Sequence, residues 1–255
     1  MIIADMTPVQ PDASHRPTPR LSDGMRLYAI GDIHGRADLL AELHGLIRAD
    51  AKLGPPRRRV VVYVGDYVDR GPGSFEVVET LLGKPLPGFE AVHLKGNHED
   101  FLLRFWTDGS DGELWMMNGG VQTLQSYGID VAAALFTPDG FDEVQRQFRN
   151  ALPSRHLGFF QRLALRHEAG DYLFVHAGVR PGVPLAEQRD VDLLWIRDEF
   201  LKSEETFGKI VVHGHSIRPE PELKDNRIGI DTGAYATGHL TALVLEAGRR
   251  RFIAT

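Results

Sequence analysis

Three glycine turns gather polar residues whose types suit metal chemistry. They read Gly31-Asp32-Ile33-His34-Gly35, Gly65-Asp66-Tyr67-Val68-Asp69-Arg70-Gly71 and Gly96-Asn97-His98-Glu99. Three later turns add His176-Ala177-Gly178, His213-Gly214-His215 and Asp231-Thr232-Gly233. Carboxylate, imidazole and amide oxygen at Asp32, His34, Asp66, Asn97, His176 and His215 suit borderline or hard divalent ions such as manganese, iron or zinc. One carboxylate can bridge two ions, and Asp66, central in the order of the turns, is the natural bridge. Two cations about 3.5–4 Å apart would hold a phosphoryl oxygen and lower the pKa of a bridging water to give hydroxide near neutral pH.

In-line attack by that hydroxide needs further parts. A proton must meet the leaving oxygen, and His98, beside the ligand candidate Asn97, is placed for it. An imidazole titrating near working pH is an efficient acid, and a neighbouring carboxylate would keep it protonated and aimed. Asp69 is the candidate carboxylate. Charge on the transferring phosphoryl calls for planar, permanently charged donors, and Arg70 and Arg197 are the candidates.

The elements around these residues follow from periodicity. Residues 26–30, 60–64 and 91–94 are apolar runs that each deliver one of the first three turns. A helical spacing follows at 36–50, another from Phe75 to a stop at Gly83 and Pro85, and a third through about Trp106. Strand, turn and helix repeated three times predict βαβ units with a parallel sheet, whose ligands gather at the C-terminal strand ends. Residues 107–168 change to weak helical periods and predict a helical insertion bordering the site. Strand signals resume at 172–175, 210–212, 227–230 and 240–245. With no long helices between them, they predict a second, more antiparallel sheet. Residues 1–24, with prolines at 8, 11, 17 and 19, are expected to be a leader outside the fold, leaving 25–255 as a single domain.

Composition narrows the class. A chain of 255 residues with 42% hydrophobic and 25% charged residues can bury a full core. The net charge of -6 argues against non-specific binding to nucleic acid or to an anionic membrane. The clusters Arg57-Arg58-Arg59 and Arg249-Arg250-Arg251 flank apolar runs and are expected as solvated strand ends. The absence of cysteine excludes disulfides, thiolate metal sites and a cysteine nucleophile. No apolar stretch is long enough to cross a bilayer and no signal-peptide pattern opens the chain, so a cytoplasmic enzyme is the expectation.

The set Gly-Asp-x-His-Gly, Gly-Asp-x-Val-Asp-Arg-Gly and Gly-Asn-His-Glu resembles the phosphoprotein phosphatase family of the calcineurin-like metallophosphoesterases, above all its small bacterial and phage serine/threonine phosphatases. The resemblance runs from about Met25 to the last strand. It implies an α/β fold with a central two-sheet β-sandwich flanked by helices, and a dinuclear site with manganese first and iron or zinc as alternatives. It implies Asp32 and His34 on one metal, Asp66 bridging, and Asn97, His176 and His215 on the other. His98 and Asp69 would form the acid pair, with Arg70 on phosphate. Leu194-Trp195-Ile196-Arg197 resembles a Trp-Asn-Arg segment of these relatives and supports Arg197 as a second phosphate arginine. Asn118-Gly119-Gly120 also has a counterpart there.

Some residues depart from the pattern. Lys95 stands where an arginine often precedes Gly-Asn-His-Glu, Ala177 replaces a glycine, and His213 is extra. Asp231 could join the shell around the metal ligands or simply hold a turn. The implied activity is hydrolysis of phosphoserine and phosphothreonine in a phosphoprotein or phosphopeptide. The alternatives are symmetrical diadenosine tetraphosphate hydrolysis and a non-catalytic phosphoprotein-binding module. A binding module should have lost a ligand or the acid pair, and all are present in the sequence.

Overall fold

The computed structural model describes residues 18–55 and 57–255. β1 (Met25–Ile30), α1 (Ala37–Ala51), β2 (Arg58–Tyr63), α2 (Ser74–Leu82), β3 (Phe89–His93) and α3 (Asn97–Asp108) alternate as the periodicity predicts. A helical stretch follows: α4 (Gly112–Trp115), a π-helical turn over Met116–Gly120, α5 (Val121–Ser126), α6 (Val131–Leu135), α7 (Gly140–Ala151) and α8 (Ser154–Gln161). The chain continues through β4 (Arg166–Ala169), β5 (Tyr172–Val175), α9 (Asp190–Trp195), α10 (Asp198–Leu201) and β6 (Ile210–His213). It closes with β7 (Glu222–Leu223), β8 (Arg227–Gly229), α11 (Ala234–Thr237), β9 (Thr241–Glu246) and β10 (Arg249–Ala254).

Two mixed sheets result, in the orders β10-β9-β1-β2-β3 and β4-β5-β6-β8-β7. The strands' period of two decides how they pack. Leu27, Ala29, Val60, Val62 and Val64 of the first sheet meet Tyr172, Phe174, Val212 and Ile228 of the second in a buried interlayer. Tyr28, Ile30, Val61 and Tyr63 point the other way, onto α1, α2 and the insertion helices. On the far side, Leu173, Val175 and Val211 pack against Leu193, Ile196 and Phe200. The fold is therefore an α/β sandwich of two sheets between helical layers.

Three expectations need correction. The second sheet is parallel at its centre, β5 with β6 and β6 with β8, and antiparallel only at its edges. The stretch carrying α9 and α10 is long enough for a parallel crossover even though neither helix is long. β9 and β10 instead join the first sheet. The helical insertion gives way to β4 at Arg166, inside the span assigned to it. Part of the expected leader is also in the fold. Leu21 is buried and donates its N–H to Ala247 O at 2.9 Å, and Arg20 N–H donates to Asp171 Oδ2 at 2.8 Å. Residues 1–17 of that expected leader lie outside the described residues.

Candidate active site

Five strands from both sheets end at one place. Asp32 follows β1, Asp66 follows β2, Asn97 opens α3 after β3, His176 follows β5 and His215 follows β6. Backbone bonds tie the turns together: Ile33 and His34 N–H both donate to Asp66 O, at 3.0 and 2.9 Å, and Gly214 N–H donates to His176 O at 2.8 Å. Side chains continue the weave, with His98 N–H donating to Asp66 Oδ1 at 3.1 Å and His215 N–H to Asp32 Oδ2 at 2.9 Å. Of the eight non-glycine residues with positive φ among the described residues, five are site candidates: His34, Asp66, Asp69, Arg70 and His215. Left-handed backbone costs energy for residues with a Cβ, and it clusters where the surrounding structure enforces it. Glycine is required where the turns touch, since a Cβ on Gly96 would lie 2.1 Å from Asp66 Oδ1.

The side chains offer two ligand groups. His34, Asp66 and His98 form one, and Asp66, His176 and His215 the other, with the donor atoms of each group within 4.8 Å of one another. Asp66 is common to both. The first group holds His98 where the sequence expected Asp32. Asp32 is tied to the second group, accepting the His215 N–H at 2.9 Å, and burial, then Asp231, then Asp66 raise its carboxyl well above the ordinary value.

The donors fit a cation. His34 Nδ1 donates to Val68 O and His176 Nδ1 to Val64 O, both at 2.9 Å, which leaves each Nε2 lone pair facing the centre. Asp32 Oδ1, His34 Nε2 and His215 Nε2 are buried with no hydrogen-bond partner. With its Nδ1 proton committed, His176 Nε2 faces Asn97 Oδ1 at 2.8 Å as a second acceptor, an arrangement a cation resolves. Burial lowers His34 and His176, and it lowers His215 to about 2 with help from His176 and Arg197, so these imidazoles stay neutral and able to ligate. Burial works against an ionised Asp66, yet its carboxyl is held below the usual range, with the raised imidazole of His98 among the groups that favour the carboxylate.

Within the first group, His98 Nδ1 donates to Asp69 Oδ2 at 2.6 Å. Burial alone would lower His98, yet the charges of Asp66 and Asp69 outweigh it and raise the imidazole above its ordinary value. Arg70 Nη2 lies 3.2 Å from His98 Nε2, and its guanidinium stacks 4.7 Å over the Tyr235 ring. Arg197 reaches the same cluster from the other side, where Nη1 donates to His215 O at 3.3 Å. Trp195 and Arg197 also line a groove of about 350 Å³ with Arg180 and Arg189.

Other candidates sort differently. Lys95 Nζ is held by Asp100 Oδ1 at 2.5 Å, which withdraws it from phosphate. His213 lies away from the ligand groups, its ring edge-on to Phe200 at 5.0 Å and its imidazole lowered to about 4 by burial. Asp231 accepts the Gly233 N–H at 2.9 Å, and burial raises its carboxyl to about 6 beside Asp32.

Several site residues had no assigned role in the sequence. Glu99 is buried and accepts N–H bonds from Asp66, Tyr67, Val68 and Gly96, locking the second turn to the third. Its place in Gly-Asn-His-Glu was the available signal, since a buried acid must have donors. Trp115 and Thr123 bond Asp69 from the insertion, and no local pattern announced them. Tyr235, edge-on to His34 at 5.4 Å, sits on α11 just after the Asp231-Thr232-Gly233 turn, without a motif of its own.

A two-sheet sandwich whose strand ends converge on shared Asp and His ligands defines a metallophosphoesterase. A family model of the calcineurin-like phosphoesterases matches residues 25–240, and the chain belongs to that family. It is an enzyme, a dinuclear metallophosphoesterase that hydrolyses a phosphorylated substrate. Among curated proteins it is similar to "Bis(5'-nucleosyl)-tetraphosphatase PrpE [asymmetrical]" from Bacillus thuringiensis, 25% identical over 244 residues, 86% of this chain and 90% of that one. A protein of the same name from Oceanobacillus iheyensis is 24% identical, covering 90% and 95% of the two chains. Among solved structures, one provisionally named as a diadenosine tetraphosphatase matches with a TM-score of 0.60 and 22% identity, covering 92% of this chain and 95% of its own. Among the described residues, no helix is long and apolar enough to cross a membrane.

Proposed function

We propose that the protein hydrolyses phosphomonoesters, with phosphoserine and phosphothreonine in proteins or peptides as the first substrate class. The 2.6 Å contact between His98 Nδ1 and Asp69, beside the shared ligand Asp66, carries this reading. In it Asp32, His34, Asp66, Asn97, His176 and His215 hold two divalent cations, manganese first. Those cations, when bound, supply Lewis acidity at a phosphoryl oxygen and a nucleophile at neutral pH. Arg70 and Arg197 approach the cluster from opposite sides and orient the phosphoryl group as charged donors. His98 gives its Nε2 proton to the leaving oxygen, and Asp69, accepting from Nδ1, keeps the ring protonated and aimed. Arg70 Nη2 lies 3.2 Å from His98 Nε2, and engaging phosphate would draw it off and free that nitrogen for the leaving group.

Retention of Lys95 by Asp100 supports a single phosphoryl group over a long polyphosphate, which would call for more free cations. The names of the curated relatives favour the second reading, hydrolysis of a dinucleoside tetraphosphate. Turnover by metal-stripped protein resupplied with manganese decides between them, read as phosphate released from phosphopeptides and as nucleotides (two ADP, or ATP with AMP) released from diadenosine tetraphosphate. A chelator should abolish both activities. Faster turnover of the dinucleotide would replace the first reading with the second, and failure on every phosphate ester and anhydride would overturn both.

A further inference from the structure

Outside the acid pair itself, the Asp69 carboxylate accepts from side chains of one short helical run. Asp69 is fully buried, and both of its oxygens are taken. Oδ2 accepts from His98 Nδ1 and, at 2.8 Å, from Trp115 Nε1, while Oδ1 accepts from the Thr123 hydroxyl at 2.6 Å. The Asp69 N–H donates to Thr123 Oγ1 at 2.8 Å and to Ser74 Oγ at 3.0 Å, and those two hydroxyls bond each other at 2.9 Å. Arg70 N–H donates to Gly119 O at 3.1 Å. Trp115, Gly119 and Thr123 thus lie on the short run of α4, the π-helical turn and α5, and this run meets two consecutive site residues with left-handed backbone, Asp69 at φ 74° and Arg70 at φ 67°.

The extra turn residue of the π-helix explains how one run reaches both. A π-turn shifts the register of the helix face, and Gly119, at φ 108°, breaks the helix inside it. A Cβ there would lie 2.7 Å from Arg70 N and Cγ, so the segment sits directly on Arg70. The Trp115 ring is packed between Phe105, at 5.2 Å, and Phe148, at 5.7 Å, which fixes the direction of its N–H.

The geometry points to the α4–α5 segment as a clamp on the proton-donating arm of the site, with Trp115 and Thr123 as positioning residues that act through Asp69 on His98. This rests on the reading of His98 as the acid. A carboxylate held by two fixed donors presents one oxygen to His98 at one angle. Loss of a donor frees the carboxylate to rotate, and the imidazole loses its aim at the leaving oxygen while the metal ligands stay in place.

The test is the dependence of rate on the leaving group, measured on metal-loaded enzyme. Phenyl phosphate releases a phenolate that needs the proton, whereas the nitro group of p-nitrophenyl phosphate stabilises the departing anion without it. Trp115→Phe keeps the ring and removes the N–H, and Thr123→Val keeps the shape and removes the hydroxyl. Each should lower kcat on phenyl phosphate by about tenfold or more and on p-nitrophenyl phosphate by less than about twofold, with KM and metal content unchanged. Thr123→Ser, which retains the donor, should restore the phenyl phosphate rate, and it covers the case in which Trp115→Phe folds poorly.

A spectrum adds a readout independent of turnover. The indole N–H proton of Trp115 should resonate downfield in the parent and move upfield in Asp69→Asn, and an unmoved resonance would overturn the clamp. His98→Asn separates the two levels of the argument. It should show the same selective loss on phenyl phosphate, and adding Trp115→Phe to it should cost nothing further. Equal losses of His98→Asn on both substrates would overturn the acid reading and the clamp with it. Selective loss in His98→Asn with no selective loss in Trp115→Phe and Thr123→Val would overturn the clamp alone.

Discussion

The metal-ligand cluster and the proton-donating arm are neighbours built by different means. The ligand candidates hang on strand ends, and their partners are backbone: Val64 O for His176, Val68 O for His34, and the His98 and His215 N–H groups for Asp66 and Asp32. Asp69 depends on side chains from the insertion, Trp115 and Thr123, with Ser74 beside them. Backbone at the end of a buried strand moves little, because moving it breaks a sheet ladder. Side chains on short helices can be exchanged one at a time. The difference teaches that one half of the site is held by backbone at strand ends, and the other half by side chains of the helices between α3 and β4.

A matched pair of glycine substitutions tests the contrast most severely. Gly96→Ala would place a Cβ 2.1 Å from Asp66 Oδ1 and 2.4 Å from Asp66 N. It should remove bound metal along with activity, read by metal analysis of the purified protein; full metal content would break the comparison on the sheet side. His98→Asn comes next. Turnover of a poor leaving group should fall by roughly 10²–10⁴-fold while metal stays bound.

The same variant sharpens a pH expectation. His98 is raised above the ordinary imidazole value, and the acid must be protonated to act. Rate should therefore hold below that raised pKa and fall as pH rises through it, above the usual value near 6.5. His98→Asn should lose this alkaline limb, and an unchanged profile would assign the limb to another group. On the insertion side, Gly119→Ala presses a Cβ against Arg70. It should raise KM about tenfold, the scale of one charged contact to phosphate, with metal content intact. The smallest effect is expected of Lys95→Gln, within about twofold on kcat/KM, because Lys95 already serves Asp100.

Legibility in the sequence divides along the same line. α1 was expected over 36–50 and forms over Ala37–Ala51, and the first three strands fall where their apolar runs lie. Each turn residue was visible because glycine and aspartate beside a strand end mark a local backbone requirement. The second sheet was misread because pairing direction depends on where distant strands meet. Strand β4 was hidden because Arg166–Ala169 sits on an edge with exposed and half-buried residues alternating, so no continuous apolar run marks it. Leu21 carried no periodic signal, since it docks as a single side chain.

The sequence alone determined the kinds of donor, their order and the strands that deliver them. Residue type, glycine placement and alternation are local properties, written within a few positions. Tertiary structure decided which side chains hold the acid pair. Trp115 and Thr123 stand 46 and 54 residues from Asp69, and only the closure of that long loop brings them to its carboxylate. It decided equally that Lys95 turns to Asp100 and that Glu99 faces the backbone of the second turn. Buried groups must find partners wherever the packed chain supplies them, and that supply is a property of the whole fold.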